Sequence, residues 1–476
     1  MLHTLWQNRV KKAVQNKIET TTLAAFNTNV DVVVHLTQEN LATLEADPRI
    51  DVQAVERLVN EDILEILTEN EFLAVLLAAL KEGKSHYIVL RNPQLLEWLE
   101  DKFAVRQESM GGQAGIIANQ MAALGARSLV YTSLLSPKQG SMFFPEVQVP
   151  VVNGELTTLN VGDAVRPQDH TKENWIFEYA KGENFRICGQ EITTPRANRV
   201  ILATRPEGIF MGFSPTMEDY LPHLGEKLDV AFLAGFHYAP TEQDKLEPYL
   251  ASSMATMHRL KKANPRLRLH FEYVPMSDAQ AEETMLRAVA SEIQSFGINE
   301  NEIKRVLTLL GYESECAEIE AHERAYCLYQ GCLRIMEELG FERIQLHNLG
   351  YYVVLLKKPY ELDPRHVRES CLYASAVNAI KAKYGGYVLY EKLAEAGEII
   401  LSEVGLRQLR TFGDEMRNHG FYVPANFEEE GILELDDHFV LIVPAHIVPN
   451  PVSTVGMGDT ISSSAFAYEW SHVQGR

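Results

Sequence analysis

The sequence predicts an α/β protein, a helix-covered and largely parallel sheet carrying a smaller sheet as a lid. Two observations carry the main sheet. Nearly continuous apolar runs, such as Leu228–Phe236 and His438–Ala445, read as strands buried on both faces. Amphipathic stretches separate such runs, and that alternation argues for parallel strands covered by helices. The lid rests on a third observation: between Val151 and Phe213 short strand-like segments are split by turn residues, with little helical periodicity.

Along the chain, Ala24–Leu36 alternates at period two from Val30 onward and reads as a lid strand. The helical stretch Leu41–Leu80 is expected to pack on the outer face of that sheet. Met110–Ala126 has two glycines entering a helix whose Ile117, Met121 and Leu124 form an apolar stripe. Glu173–Gly182, Glu183–Ile192 and Asn198–Phe213 read as antiparallel lid strands. Leu228–Phe236, Leu267–Pro275, Arg343–Tyr351 and His438–Ala445 are the main strands, and Met254–Ala263 and Ala279–Phe296 are helices between them. A last helix follows Asp459. The expected large domain is 1–22, 37–80, 105–150 and 214–476; the expected lid is 23–36, 81–104 and 151–213. Residues 37–80 remain open to assignment to the lid.

The 476 residues are 46% apolar and carry a net charge of −21. Such a surface repels phosphate backbones and anionic lipid, which argues against nucleic-acid or membrane-surface binding. Five cysteines follow no zinc or redox spacing and read as reduced, structural residues. No apolar run has bilayer-spanning length. The expectation is a cytoplasmic, globular protein. Gly83-Lys84-Ser85 is not a P-loop, because Ala78 stands where a glycine is required.

The chemistry concentrates at "NPVSTVGMGD", Asn450–Asp459. Gly456 and Gly458 let a ligand approach the backbone, and amides at a helix N-terminus favour an anion. Beside an anion-binding turn, Asp459 suits a general base that removes a hydroxyl proton; an N-cap is the plainer alternative. Gly111, Gly112 and Gln113 could face a polyhydroxylated ligand or form a tight turn. Asn29 and Asp31 share a strand face, where sugar hydroxyls would serve as partners. Glu272 ends a strand, and Glu300 and Glu302 follow Gly297, so these carboxylates could hold Mg²⁺ through water.

Taken together, "NTNVD", "GGQAG", "PRANRVI", "LAGFH", "HFE", "INENE" and "NPVSTVGMGD" resemble the ADP-dependent sugar kinases of the ribokinase-like superfamily. The resemblance spans Asn27 to Asp459. It implies a ribokinase-like αβα sandwich with a β-sheet lid, phosphoryl transfer from ADP to a sugar, AMP as product, and Mg²⁺. It also implies roles: Asp459 as catalytic base, an anion hole at Gly456, Met457 and Gly458, and Arg199 near the phosphates. Sugar contacts fall on Asn29, Asp31, Gly111, Gly112 and Gln113, metal-linked glutamates on Glu272 and Glu300, and adenine contacts near His347, Tyr352 and Val452.

Within that family, glucokinases carry a lid glutamate after a turn that here reads "EGKSHYI", and Ser85, His86 and Tyr87 offer no carboxylate. "FEYAKG" supplies Lys181 at the place matching a sugar-phosphate cation, and "LATRPEG" supplies Arg205. The expected acceptor is therefore fructose 6-phosphate. A glucokinase or bifunctional enzyme, an ATP-dependent ribokinase-like kinase, and a non-catalytic sugar-phosphate or nucleotide sensor stay open as alternatives.

Overall fold

In the computed structural model, which describes residues 2–452 and 455–471, the strands form one eleven-stranded sheet, one six-stranded sheet and a two-stranded ribbon. The large sheet runs Ile432–Glu434, His438–Pro444, Tyr351–Lys357, Arg343–Asn348, Ser295–Asn299, Arg268–Glu272, Val230–Leu233, Thr21–Ala25, Arg127–Tyr131, Gln148–Val152, Leu156–Asn160. From Arg343–Asn348 to Gln148–Val152, neighbours pair in parallel. The apolar run at His438 is also a fully covered strand, but it pairs antiparallel with Tyr351–Lys357. Apolar continuity reports burial on both faces and says nothing about strand direction.

The small sheet runs Glu65–Ile66, His86–Leu90, Asn198–Thr204, Glu173–Tyr179, Asn29–His35, Gln107–Gly111. It is mixed rather than antiparallel: Asn29–His35 pairs parallel with Glu173–Tyr179 and antiparallel with Gln107–Gly111. A separate core of Phe72, Trp98, Phe103, Trp175 and Phe177 lies beneath it. Phe103 and Phe177 approach to 5.1 Å between ring centres, a packing that adds to the burial of apolar area. The helix Glu69–Glu82 turns its apolar face to this core. It opens on a Thr68/Glu71 capping box and closes on Gly83 at φ 63°, so side chains and glycine satisfy its free ends.

Several expected boundaries move. Residues 37–80, placed in the large domain or alternatively in the lid, pack into the small core, as expected for the helical stretch Leu41–Leu80. Gln107–Gly111, expected in the large domain, is an edge strand of the small sheet. Gln148–Val152 and Leu156–Asn160 close the large sheet, although the second was expected in the lid, and Met211 and Phe213 join the large core. Thr21–Ala25 belongs to the large sheet, so the run Ala24–Leu36 spans both lobes. The helix begun at Ala279 ends at Ala290, and Ser295–Asn299 is a strand. Each error follows from local patterns that are equally good for either lobe.

The chain passes between the lobes at Phe26–Thr28, Gly111–Gln113, Thr171–Lys172 and Thr204–Pro206. Short passages of this kind bring polar residues from both lobes to one seam. Among the described residues, no helix is long and apolar enough to cross a membrane. All five cysteines are free thiols.

Candidate active site

The last helix, Met457–Glu469, starts at Gly456, whose φ of 65° puts it in the left-handed region glycine tolerates. No side chain caps this end, so the first-turn amides lack intrahelical partners and are free for an anion. Asp459 lies in that first turn. The Gln113 amide donates to its Oδ1 at 3.2 Å and to the Glu272 carbonyl at 3.3 Å. One side chain thus ties the helix behind Gly112 to the base and to the end of the strand Arg268–Glu272. Burial pushes the Asp459 carboxyl up to about 6, against the Gln113 hydrogen bond and the Lys381 charge. Asp459 is therefore ionised at neutral pH yet basic enough to take a proton. Gly458 leaves room for Glu272 and for the His347 ring, which a β-carbon there would meet at 3.1 Å.

A second group of residues gathers where the lobes meet. Asn29 donates to Asp31 Oδ1 at 2.6 Å, and Asn174 donates to the same oxygen at 3.4 Å. Burial raises Asp31 to about 6, opposed by those amides and by the Lys172 and Arg199 charges. Gly111 pairs with Asn29 across the small sheet, and a β-carbon on Gly111 would collide with Asn29 and Asp31. Gly111 is thus a lid residue, whereas Gly112 and Gln113 open the large-lobe helix Gln113–Ala123. Gly112 has φ 74°, and a β-carbon there would meet the Asn27 carbonyl at 2.5 Å.

The sequence reading missed Lys172. Its ammonium is buried and donates to Asn27 Oδ1 at 2.6 Å and to the Tyr238 hydroxyl at 3.2 Å. Burial, with the nearby Arg205 charge, pulls its pKa well below the usual lysine range. His237, half-buried beside the same cations, is held down to about 3, mainly by burial of its ring, so it is neutral. Among the described residues, neither Lys172 nor Arg205 has an ion-pair partner. Asp31 is the carboxylate whose charge acts on Lys172, and it makes no ion pair with it, so two adjacent cations here are costly unless an anion visits. A lysine just before an alternating strand was the available signal. Lys181 is in another place: it is exposed in the turn after Glu173–Tyr179. From Asn174 the strand runs on to Tyr179, roughly 15 Å at the rise of an extended chain, before the turn that carries Lys181. Lys181 therefore lies away from Asp31, and Lys172 takes the place expected for it.

The main cleft, about 800 Å³, is lined by Gln113, Arg199, Glu272, His347, Tyr352 and Asp459, among others. Arg199 reaches it from the small sheet. His347 is neutral, its pKa lowered to about 4 by burial, and its Nε2 is 3.7 Å from Glu272 Oε1. Tyr352 is buried in the wall. Val452 is not a lining residue: it is 68% exposed, and its amide bonds the Ala382 carbonyl at 2.8 Å. Its neighbours Ser453 and Thr454, part of the motif noted above, lie outside the described residues.

Four carboxylates line the cleft: Glu272, Glu300, Glu302 and Asp459. Burial pushes Glu272 well above the usual range, and the Glu302 and Asp459 charges add to the rise. Glu302 is raised to about 7 by burial, opposed by the Asn299 amide and reinforced by Asp459. Glu300, the residue expected here, also lines the cleft and adds to the rise of Glu302, but its own charged neighbours are Glu323 and Lys304 rather than Glu272 or Asp459. Asn299 explains the difference. Its side chain accepts from the Glu302 amide at 2.9 Å, and its own amide donates to Glu302 Oε2 at 3.0 Å. That reciprocal turn folds Glu302 back toward Glu272. Among the described residues no three ligating side chains converge on one point. The mutual repulsion of Glu272, Glu302 and Asp459 fits a hydrated divalent cation held mostly by a ligand's phosphates.

Comparison with known proteins agrees in extent with the whole fold. The family model described as the ADP-specific phosphofructokinase/glucokinase conserved region matches residues 20–468. The ADP-specific phosphofructokinase of Methanosarcina acetivorans is 30% identical over 488 aligned positions, covering 97% of this chain and 96% of that protein. A solved structure of the last common ancestor of ADP-dependent phosphofructokinases from Methanosarcinales superposes with a TM-score of 0.87 at 29% identity, over 100% of this chain and 98% of that one. An ADP-dependent kinase complex with fructose 6-phosphate and ADPβS superposes with a TM-score of 0.81 at 28% identity, over 100% and 98%.

Proposed function

The chain belongs to the ADP-specific phosphofructokinase/glucokinase family, and from that premise we propose that it transfers the β-phosphoryl group of ADP to the 1-hydroxyl of fructose 6-phosphate. The products are fructose 1,6-bisphosphate and AMP. The observation that carries the acceptor is the unpaired Lys172–Arg205 pair beside Asn29 and Asp31. A sugar phosphate supplies the missing anion there, and charge-assisted contacts are the strong ones. Glucose lacks that anion and would leave both cations unmatched. It would also meet no carboxylate at Ser85–Tyr87.

In this reading Asn29 and Asp31 hold sugar hydroxyls, and Lys172 and Arg205 hold the 6-phosphate, so the 1-hydroxyl points to Asp459. Asp459 takes the hydroxyl proton as the oxygen forms its bond to the β-phosphorus. The bond from that phosphorus to the bridging oxygen breaks, and the electron pair leaves with AMP. The first-turn amides at Gly456–Gly458 and the Arg199 guanidinium stabilise the negative charge on the transferred group. Mg²⁺ bound to the nucleotide phosphates would neutralise further charge, with Glu272 and Glu302 anchoring its water shell. Adenine would lie toward His347 and Tyr352. The substrates are soluble anions, so the reading includes a cytoplasmic enzyme with no membrane or nucleic-acid partner.

A coupled assay crossing ADP and ATP with fructose 6-phosphate and glucose, with AMP measured as product, tests the reading. ADP with fructose 6-phosphate should be the efficient pair. Equal efficiency with glucose would overturn the acceptor, and equal efficiency with ATP would overturn the donor.

A further inference from the structure

We infer that Tyr87 and Tyr238 form a latch across the two lobes that sets the Arg205 guanidinium for a sugar 6-phosphate, making Tyr87 a positioning residue for acceptor selection. The inference rests on the phosphofructokinase reading and deepens it. Tyr87 belongs to the small-lobe strand His86–Leu90, and Tyr238 to the large-lobe turn Phe236–Tyr238. Their hydroxyl oxygens are 3.4 Å apart. Arg205, at the end of Asn198–Thr204, is held by both. Its Nη2 donates to the Tyr87 hydroxyl at 2.9 Å, and its Nη1 donates to the Thr204 carbonyl at 3.0 Å. The guanidinium carbon lies 4.6 Å from the centre of the Tyr238 ring and 5.9 Å from that of Tyr87.

The proton inventory gives the latch a direction. Tyr238 oxygen accepts from Lys172 at 3.2 Å, so its own proton can go to Tyr87 oxygen. Tyr87 oxygen then accepts from both Tyr238 and Arg205. Its lone pairs are used, and its own O–H is left to donate. Tyr87 is 50% exposed, so that proton can go to solvent. Arg205 keeps N–H donors beyond the two described. A phosphate would therefore meet the Lys172 ammonium and the Arg205 fork, the fork held in place by the Tyr87 hydroxyl. The Tyr87 phenol and Arg205 come from adjacent strands of the small lobe, and the Tyr238 contacts tie both to the large lobe.

The test is a double-mutant cycle of Tyr87→Phe and Arg205→Ala in the full-length enzyme. Tyr87→Phe keeps the ring and removes the oxygen. Alone it should raise the KM for fructose 6-phosphate by about tenfold, the factor for one hydrogen bond to a charged group. The effect should fall on that KM rather than on kcat or the KM for ADP. Protection against thermal unfolding by fructose 6-phosphate should weaken by the same factor, and protection by ADP should not. In the Arg205→Ala background Tyr87→Phe should add less than about twofold, because its partner is gone. An unchanged KM in Tyr87→Phe overturns the latch. So does a rise in KM for ADP of equal size, or full additivity with Arg205→Ala. A wild-type enzyme inactive on ADP and fructose 6-phosphate would sink the phosphofructokinase reading instead.

Discussion

Replacing Lys172 with methionine removes a buried cation and keeps most of its volume. In the free protein that ammonium has only neutral acceptors, Asn27 and the Tyr238 hydroxyl, and a like-charged neighbour in Arg205. Its place in the fold is therefore unfavourable until an anion arrives. A charge-assisted hydrogen bond to phosphate contributes about 1.5–3 kcal/mol. At about 1.4 kcal/mol per factor of ten, loss of that contact raises the KM for fructose 6-phosphate by roughly 10- to 150-fold. The KM for ADP should stay within about twofold, because in the proposed reading the nucleotide occupies the cleft lined by His347 and Tyr352, which Lys172 does not line. The free variant should be no less stable than wild type, since a buried ammonium with no ion pair, opposed only at a distance by Asp31, has been replaced by an apolar chain. Steady-state kinetics with each substrate varied, and thermal unfolding of the unliganded proteins, measure the two halves. A fructose 6-phosphate KM within twofold of wild type would refute the assignment of Lys172. A large fall in melting temperature would refute the claim that its charge is a functional burden rather than a structural one.

Asp459→Asn should lower kcat by roughly two to four orders of magnitude, the range for a positioned acid–base group, while calorimetry still detects ADP and sugar-phosphate binding. Since Asp459 must be ionised to act and burial raises it to about 6, wild-type kcat/KM should fall as pH drops through about 6. A profile flat down to pH 5 would argue against this base. Glu302→Gln should raise the Mg²⁺ concentration needed for half-maximal activity and weaken Mn²⁺ binding seen by electron paramagnetic resonance with nucleotide present, whereas Glu300→Gln should do much less. The reverse order would return the metal role to Glu300. Gly112→Ala should destabilise the protein by about 1–3 kcal/mol through left-handed strain and collision with the Asn27 carbonyl, read by denaturant unfolding. It should also raise the fructose 6-phosphate KM, because Asn27 supports Lys172.

Placements that depend on local geometry were legible in the sequence. Asn29 and Asp31 share a face because strands repeat every two residues, and Gly456 and Asp459 stand at the start of a helix, where amides are free for an anion. The alternation of apolar runs with amphipathic helices likewise needs no tertiary information. The motifs also carried a family resemblance along nearly the whole chain, which the family match over residues 20–468 bears out. What depended on the tertiary structure was membership of the lobes and the choice between neighbouring charges. Gln107–Gly111 and Gln148–Val152 look alike as strands, yet one edges the small sheet and the other extends the large one. Lys172 and Lys181 flank the same strand, and only the position of its ends against the other lobe says which cation meets Arg205. Glu300 and Glu302 flank the same turn, and the Asn299 hydrogen bonds decide which carboxylate faces Glu272. Short-range periodicity is written residue by residue, but a charge acts through the distance to its partner. Some of those partners are near in sequence, as Arg205 is to Lys172, and others, as Asp459 is to Glu302, are more than a hundred residues away; only the packed fold brings either kind together.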